Sequence, residues 1–167
     1  MPRPLIPILN TVLFTIVVPG TVAGYIPYRL TDRFAHRASG PLEWLGVVVL
    51  ALGAAVYFRC AWEFAMRGLG TPAPIAPTKF LVTTALHRYI RNPMYVGVVL
   101  VIVGEAVLFR SLHILVYAAF MLTAAHTFVV LYEEPTLSRQ FGEPYEQYRR
   151  TVPRWIPKFP SGNNPAK

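Results

Sequence analysis

The side chains able to do chemistry fall into two short stretches. One is LVTTALHRYIRNPMYVG at positions 81–97, which gathers His87, Arg88, Tyr89, Arg91, Asn92 and Tyr95. The other is Tyr132, Glu133, Glu134 and Pro135, a pair of adjacent carboxylates at the end of a long uncharged run. Guanidinium, amide and phenol groups hold anions, whereas paired acids hold cations or accept protons. If the two stretches face each other, one wall is acidic and the other basic and aromatic. Such a site suits a zwitterion, with its carboxylate on the donors and its ammonium on Glu133 or Glu134.

The elements that position these groups follow from composition. Of 167 residues, 54% are hydrophobic and only 14% charged, against roughly 25% charged in a soluble domain. That excludes a disordered tail and an ordinary soluble domain, and the reading is a single all-α integral membrane domain over 1–167. Four transmembrane helices are predicted, at about 5–28, 42–58, 93–109 and 111–132, since roughly 20 apolar residues span a ~30 Å hydrocarbon core. Pro7, Pro19 and Gly20 are expected to kink the first. A signal peptide is the competing reading of that stretch, but the apolar run exceeds the ~7–15 residues expected and has only Arg3 as a positive flank. The lone Cys60 excludes an internal disulfide and any multi-cysteine metal site, and no metal is expected.

Only Phe109 and Arg110 separate the third and fourth runs, which forces an antiparallel helical hairpin. Asn92 and Glu133 then emerge side by side on one face of the membrane. Pro93 fits the first turn of the third helix with Asn92 as its cap, and the helix's positive end favours an anion there. Pro135 argues against straight continuation of the fourth helix. Beyond it Leu137, Phe141, Tyr145, Tyr148 and Val152 trace one helical face, which Gly142 and Pro144 split into two short amphipathic helices. That face serves either as an interfacial anchor or as a cover for the pocket.

Twelve of the sixteen Lys and Arg lie with the N-terminus, the middle loop and the C-terminus, while Arg29, Arg33, Arg37 and Arg110 lie opposite. The positive-inside tendency puts both termini and the polar site in the cytosol. The excess of +8 is thereby explained without nucleic acid, because no basic stripe interleaves with exposed aromatics. Within the spans, Glu105 is expected near His113 or Arg110, as a structural polar pair or a functional acid. His126 is read as a core histidine bonded to Thr123, Tyr95 or the pocket floor, or else as a catalytic group. Adenosylmethionine is one zwitterion that fits the site, with an adenine to stack on Tyr or His rings; many others fit as well.

At these residues the chain resembles the isoprenylcysteine carboxyl methyltransferase family and, more broadly, the membrane methyltransferases that include phospholipid N-methyltransferases. HRYIRNPMYVG at 87–97 resembles the family's R-Y-x-R-[HN]-P-x-Y-x-G. Glu133, Glu134, Leu137, Phe141, Gly142, Tyr145, Tyr148, Val152 and Pro153 resemble its E-E-x-x-L-x-x-x-F-G-x-x-Y-x-x-Y-x-x-x-V-P. The resemblance covers residues 79–157. It implies an S-adenosylmethionine-dependent enzyme with a cytosolic cofactor pocket and a lipidic small-molecule acceptor entering from the bilayer. Carried over by position, His87, Tyr89, Arg91, Asn92, Pro93, Tyr95 and Gly97 form one wall of the cofactor site, and Glu133 and Glu134 the other. Two departures stand out. Ala85 and Leu86 replace the family's Gly-Pro, and Thr151 stands where prenylcysteine enzymes often carry a basic residue.

Methyl transfer from a sulfonium is an in-line displacement that discharges a cation, so positioning and a dry pocket matter more than acid chemistry. A carboxylate acceptor would be held by Arg149 or Arg150, giving O-methylation. An amine or hydroxyl would pass its proton to Glu134. Rival readings are a nicotinamide-dependent membrane reductase of the sterol type and a non-catalytic partner-binding hairpin. Oligomeric state and the acceptor's identity are not legible in the residues.

Overall fold

The computed structural model describes residues 5–31, 39–68 and 81–158. The proline-rich linker with Pro72, Pro74 and Pro77, together with Lys79, lies outside the described residues. All regular structure among the described residues is helical: α1 (Leu5–Gly20), α2 (Ile26–Leu30), α3 (Pro41–Glu63), α4 (Pro93–Leu108), α5 (Leu112–Phe128), α6 (Glu134–Phe141) and α7 (Glu143–Thr151). Three helical runs are long and apolar enough to cross a membrane, Ile8–Leu30, Pro41–Met66 and Leu112–Phe141. Helix α4, at 16 residues, is shorter. Their outer faces carry Leu13, Ile16, Trp44, Val48, Val116 and Phe120, all exposed, as lipid-facing side chains should be.

Prolines are absorbed by π-helical turns, not by breaks. Pro19, near the end of α1, precedes one at Thr21–Tyr25, after which Pro27 enters α2 in its first turn. A second π turn, Val129–Glu133, joins α5 to α6. The expected stop before Pro135 is therefore corrected. Each π turn resets the hydrogen-bond ladder, so Pro135 falls in the first turn of α6, where a missing N–H has no helical acceptor to lose. The helical run that begins at Leu112 thus continues to Phe141. There Gly142, at φ +60, ends it and opens α7, as the spacing predicts.

Helices α3 and α4 approach at backbone distance. A Cβ at Gly53 would sit 2.7 Å from the Gly97 carbonyl oxygen, and one at Gly97 would sit 2.8 Å from the Tyr57 nitrogen. Only glycine permits that crossing, the contact small residues make between membrane helices. The α4–α5 turn is closed by Arg110 at φ +49 and by Ser111, whose hydroxyl caps α5 by accepting from the Ile114 N–H. Beside it Ile102, Ala106, Ile114 and Ala118 form a buried core, with Val22, Val98 and Met121 packed on its edge. Glu105, in the last turn of α4, has its Oε2 buried without a hydrogen-bond partner.

Candidate active site

The close α3–α4 crossing and the tight α4–α5 turn deliver the two polar stretches to the same end of the bundle. Arg91 donates from a terminal guanidinium nitrogen to Glu134 Oε1 at 2.8 Å, and the Tyr95 hydroxyl donates to Glu133 Oε2 at 3.1 Å. Arg154 completes the junction. Its Nε is 2.6 Å from Glu134 Oε1 and a terminal nitrogen is 3.0 Å from Oε2, a bidentate fork. Glu134 is only 6% exposed, so its carboxylate sits between two guanidinium groups with both oxygens engaged.

Residues 153–158 strap this arrangement down. The Arg91 N–H donates to the Pro153 carbonyl at 2.9 Å, and the Lys158 N–H to the Tyr89 carbonyl at 3.0 Å. Asn92 reaches the Arg154 carbonyl through Nδ2 at 3.2 Å, and Tyr148 donates to the His87 carbonyl at 2.7 Å. Asn92 is thus an anchor for the strap and makes no side-chain cap on α4. The indole N–H of Trp155 donates to His126 Nδ1 at 2.9 Å, so the partner of His126 is Trp155 and not Thr123 or Tyr95. On the far side the buried Glu63 accepts from Arg59 at 2.6 Å and from Thr84 at 3.0 Å, pinning the start of the polar segment to α3.

The segment opens with Ala85 at φ +50, the left-handed region that favours glycine. The chain therefore makes this turn on an alanine, at some strain. His87, two residues on, is 5% exposed and edge-on to the Phe64 ring. Burial lowers its pKa from 6.5 to about 4, partly opposed by the Glu63 carboxylate, so it is a neutral imidazole. Burial likewise raises Tyr148 above the ordinary phenol value.

These walls enclose a cavity of about 450 Å³. Of the residues singled out from sequence, His87, Arg91, Asn92, Pro93, Tyr95, Glu133 and Glu134 line it. Four do not. Gly97 lies in the α3–α4 crossing, and Tyr89 contributes its carbonyl to the strap beneath the Arg88 guanidinium. Arg149 turns onto Glu146 at 2.8 Å, and Arg150 is exposed. Neither arginine is placed to hold an acceptor in the cavity, because Tyr145 and Tyr148 are the α7 residues that face it. Glu134, expected to accept a proton from an amine or hydroxyl acceptor, is held by two arginines that outweigh burial and lower its pKa, an arrangement that weakens a base and suits an anchor. Glu133, whose carboxylate accepts from the Tyr95 hydroxyl, is the second acid of the cavity wall.

Sequence reasoning missed Arg154, Glu63, Tyr57 and the α1 side of the cavity. Arg154 had a signal: it follows Val-Pro directly in a chain that lacks the basic residue before it. Glu63 and Tyr57 had none, since their roles arise from helix crossing.

The family model described as phospholipid methyltransferase matches residues 42–144. The chain belongs to the phospholipid methyltransferase family. It is also 34% identical over 80 residues to the Protein-S-isoprenylcysteine O-methyltransferase of Schizosaccharomyces pombe, a stretch covering 48% of this chain and 34% of that protein. The chain thus spans about a third of that relative's length. Both similarities are to methyltransferases, and with the three apolar runs they make this an integral membrane protein of a membrane methyltransferase family.

Proposed function

We propose that this chain is an S-adenosylmethionine-dependent methyltransferase acting on a lipidic acceptor at the cytosolic face of a membrane, with four spans and both termini cytosolic. One observation carries the reading: a single cavity joins the Arg91, Asn92 and Glu133 groups to an interior lined by Val18, Val98, Met121 and Phe128. A polar, zwitterion-sized end thereby communicates with a membrane-depth apolar end.

The residues fit that cofactor. Arg91 Nε and His87 Nδ1 are buried side-chain nitrogens without hydrogen-bond partners, both on residues of the cavity wall. Buried polar atoms are nearly always satisfied, so two orphans at one cavity suit a polar ligand. Arg91 and Asn92 would take the carboxylate, Glu133 the ammonium, and the Tyr145, Tyr148 and His87 rings the adenine. When bound, adenosylmethionine supplies an electrophilic methyl on a sulfonium. The protein's part is positional: Glu134 and Arg154 fix Arg91, Tyr95 orients Glu133, and Leu137 with the tyrosines of α7 excludes water.

The relative's O-methylation favours a carboxylate acceptor here, and the family description favours a phospholipid amine as the second reading. Calorimetry on the detergent-purified protein tests the cofactor. Heat is expected with S-adenosylmethionine or S-adenosylhomocysteine and is expected to be lost in Glu133→Gln. Heat with NADPH and with neither of these compounds would overturn the reading. Methyl-labelled cofactor with a membrane extract, followed by mass spectrometry, identifies the acceptor.

A further inference from the structure

We infer that His126, exposed on α5, is a positioning residue for the methyl donor, acting through Trp155 and Tyr95 on Glu133. The inference rests on the methyltransferase reading for what Glu133 holds, while the contacts themselves are independent of it. Neither His126 nor Trp155 lines the cavity. His126 precedes Glu133 by seven residues on one helical run, roughly 10 Å along the axis at 1.5 Å per residue. It therefore reaches the site only through another side chain.

The contacts run without a gap. Trp155 donates its indole N–H to His126 Nδ1 at 2.9 Å, and its ring meets Tyr95 edge to face, with centroids 6.4 Å apart and planes at 71°. Tyr95 in turn donates its hydroxyl to Glu133 Oε2 at 3.1 Å. Side chains from α5, the strap, α4 and the π turn thus form one line that ends at a carboxylate on the cavity wall. Aromatic pairs of this geometry attract beyond their buried area, so a fixed indole favours one placement of the phenol.

Each link leans on the one before it. Arg91 and Arg154 are engaged with Glu134, which leaves the Tyr95 hydroxyl to orient Glu133. The strap's other bonds are made by Pro153, Arg154 and Lys158, so the direction of the Trp155 ring is set by its own N–H and its ring contacts. A half-buried indole N–H calls for a partner, and α5 supplies it in the His126 ring. A plain anchor for the strap would end at that bond. Here the line continues to the acid that would hold the donor's ammonium.

Calorimetry with two ligands on the detergent-purified protein tests this. S-adenosylhomocysteine carries the ammonium, and 5′-methylthioadenosine lacks it. His126→Leu and Trp155→Phe are each expected to weaken S-adenosylhomocysteine about five-fold, the worth of one net hydrogen bond, and to leave 5′-methylthioadenosine within about two-fold. His126→Asn, whose Oδ1 stands where Nδ1 stood, is expected to restore wild-type affinity. In a Tyr95→Phe background, where the hydroxyl is gone, His126→Leu should add nothing. Equal losses for both ligands, full additivity with Tyr95→Phe, or unchanged affinity in His126→Leu would reduce the contact to a strap anchor and overturn the inference. The indole N–H resonance of Trp155, assigned by elimination with Trp44→Phe and Trp62→Phe, needs no His126 variant: it should shift with S-adenosylhomocysteine and not with 5′-methylthioadenosine, and a resonance indifferent to both overturns the inference as well. Wild-type protein that binds neither ligand would instead refute the methyltransferase reading, an outcome distinct from wild-type binding with indifferent variants.

Discussion

Glu134→Gln separates an anchor from a catalyst. In the folded protein this carboxylate accepts three charge-assisted hydrogen bonds, at 2.8, 2.6 and 3.0 Å, from Arg91 and Arg154. The Arg91 side chain is 10% exposed and the Arg154 side chain 31%. Removing the charge strands Arg91, whose Nε already lacks a partner. Breaking a buried pair from one side costs about 3–5 kcal/mol, and the amide retains part of the hydrogen bonding, so about 3 kcal/mol is expected. For a chain of this length that lowers Tm by about 6–12 °C. Scanning fluorimetry in detergent measures it, and calorimetry with S-adenosylhomocysteine should show weakened binding in parallel, because Arg91 and the strap lose their common fixed point. A double-mutant cycle with Arg154→Met should give a coupling above about 1 kcal/mol, since contacting residues are not additive. A Glu134→Gln protein with unchanged Tm and intact cofactor binding but no turnover would sink the anchor assignment and restore Glu134 as the base.

Other outcomes follow from single features. Ala85→Gly should raise stability by up to about 1 kcal/mol, because relief of an alanine at φ +50 outweighs the added chain entropy of glycine; a lowered Tm would show that the turn is not strained. His87 titrates at 6.5 unfolded and at about 4 folded, so the unfolded chain binds the extra proton between those values. Stability from this group is complete above pH 6.5 and is lost as pH falls towards 4, by about 3 kcal/mol in all; the difference in Tm against His87→Phe, followed from pH 7.5 to 4.5, should isolate it. Gly53→Leu should abolish accumulation of folded protein, since a Cβ there already meets the Gly97 carbonyl at 2.7 Å, and normal expression would refute the close crossing. Trp155→Phe keeps the ring against Tyr95 but loses the bond to His126, and about 1 kcal/mol of destabilisation is expected by the same fluorimetry.

The helices and the meeting of the two polar stretches were legible because both depend on local pattern. Uncharged runs of about twenty residues report spans, and a two-residue link leaves an antiparallel hairpin as the only route back. From those two facts Arg91 and Glu134 must lie near each other, and they do, at 2.8 Å. What was not legible is how the groups divide their labour. Adjacent glutamates look equivalent as letters, yet consecutive helical residues point about 100° apart, so that Glu134 meets Arg91 and Arg154 while Glu133 meets Tyr95. The π turn at Val129–Glu133 carries the helix through Pro135, against the usual preference of a residue preceding proline.

The same limit explains why Arg149 and Arg150 were assigned to the acceptor and Arg154 was overlooked. All three are basic residues near a Val-Pro step, and periodicity places the first two beside the aromatic face of α7. The cavity is not closed by that helix alone, however. After Pro153 the chain turns back over Tyr89 and Arg91, and it is this return that brings a guanidinium fork onto Glu134. The site therefore draws on chain to either side of the matched residues 42–144, the α1 face before them and the 153–158 strap after them. On the proposed function the matched centre would hold the methyl donor, and the acceptor would reach it past the α1 face. Because Phe14, Val18 and Val22 line the cavity's apolar end and Arg91, Glu133 and Glu134 its polar end, substitutions at the first three should change acceptor turnover with S-adenosylhomocysteine binding kept, and substitutions at the last three should weaken that binding.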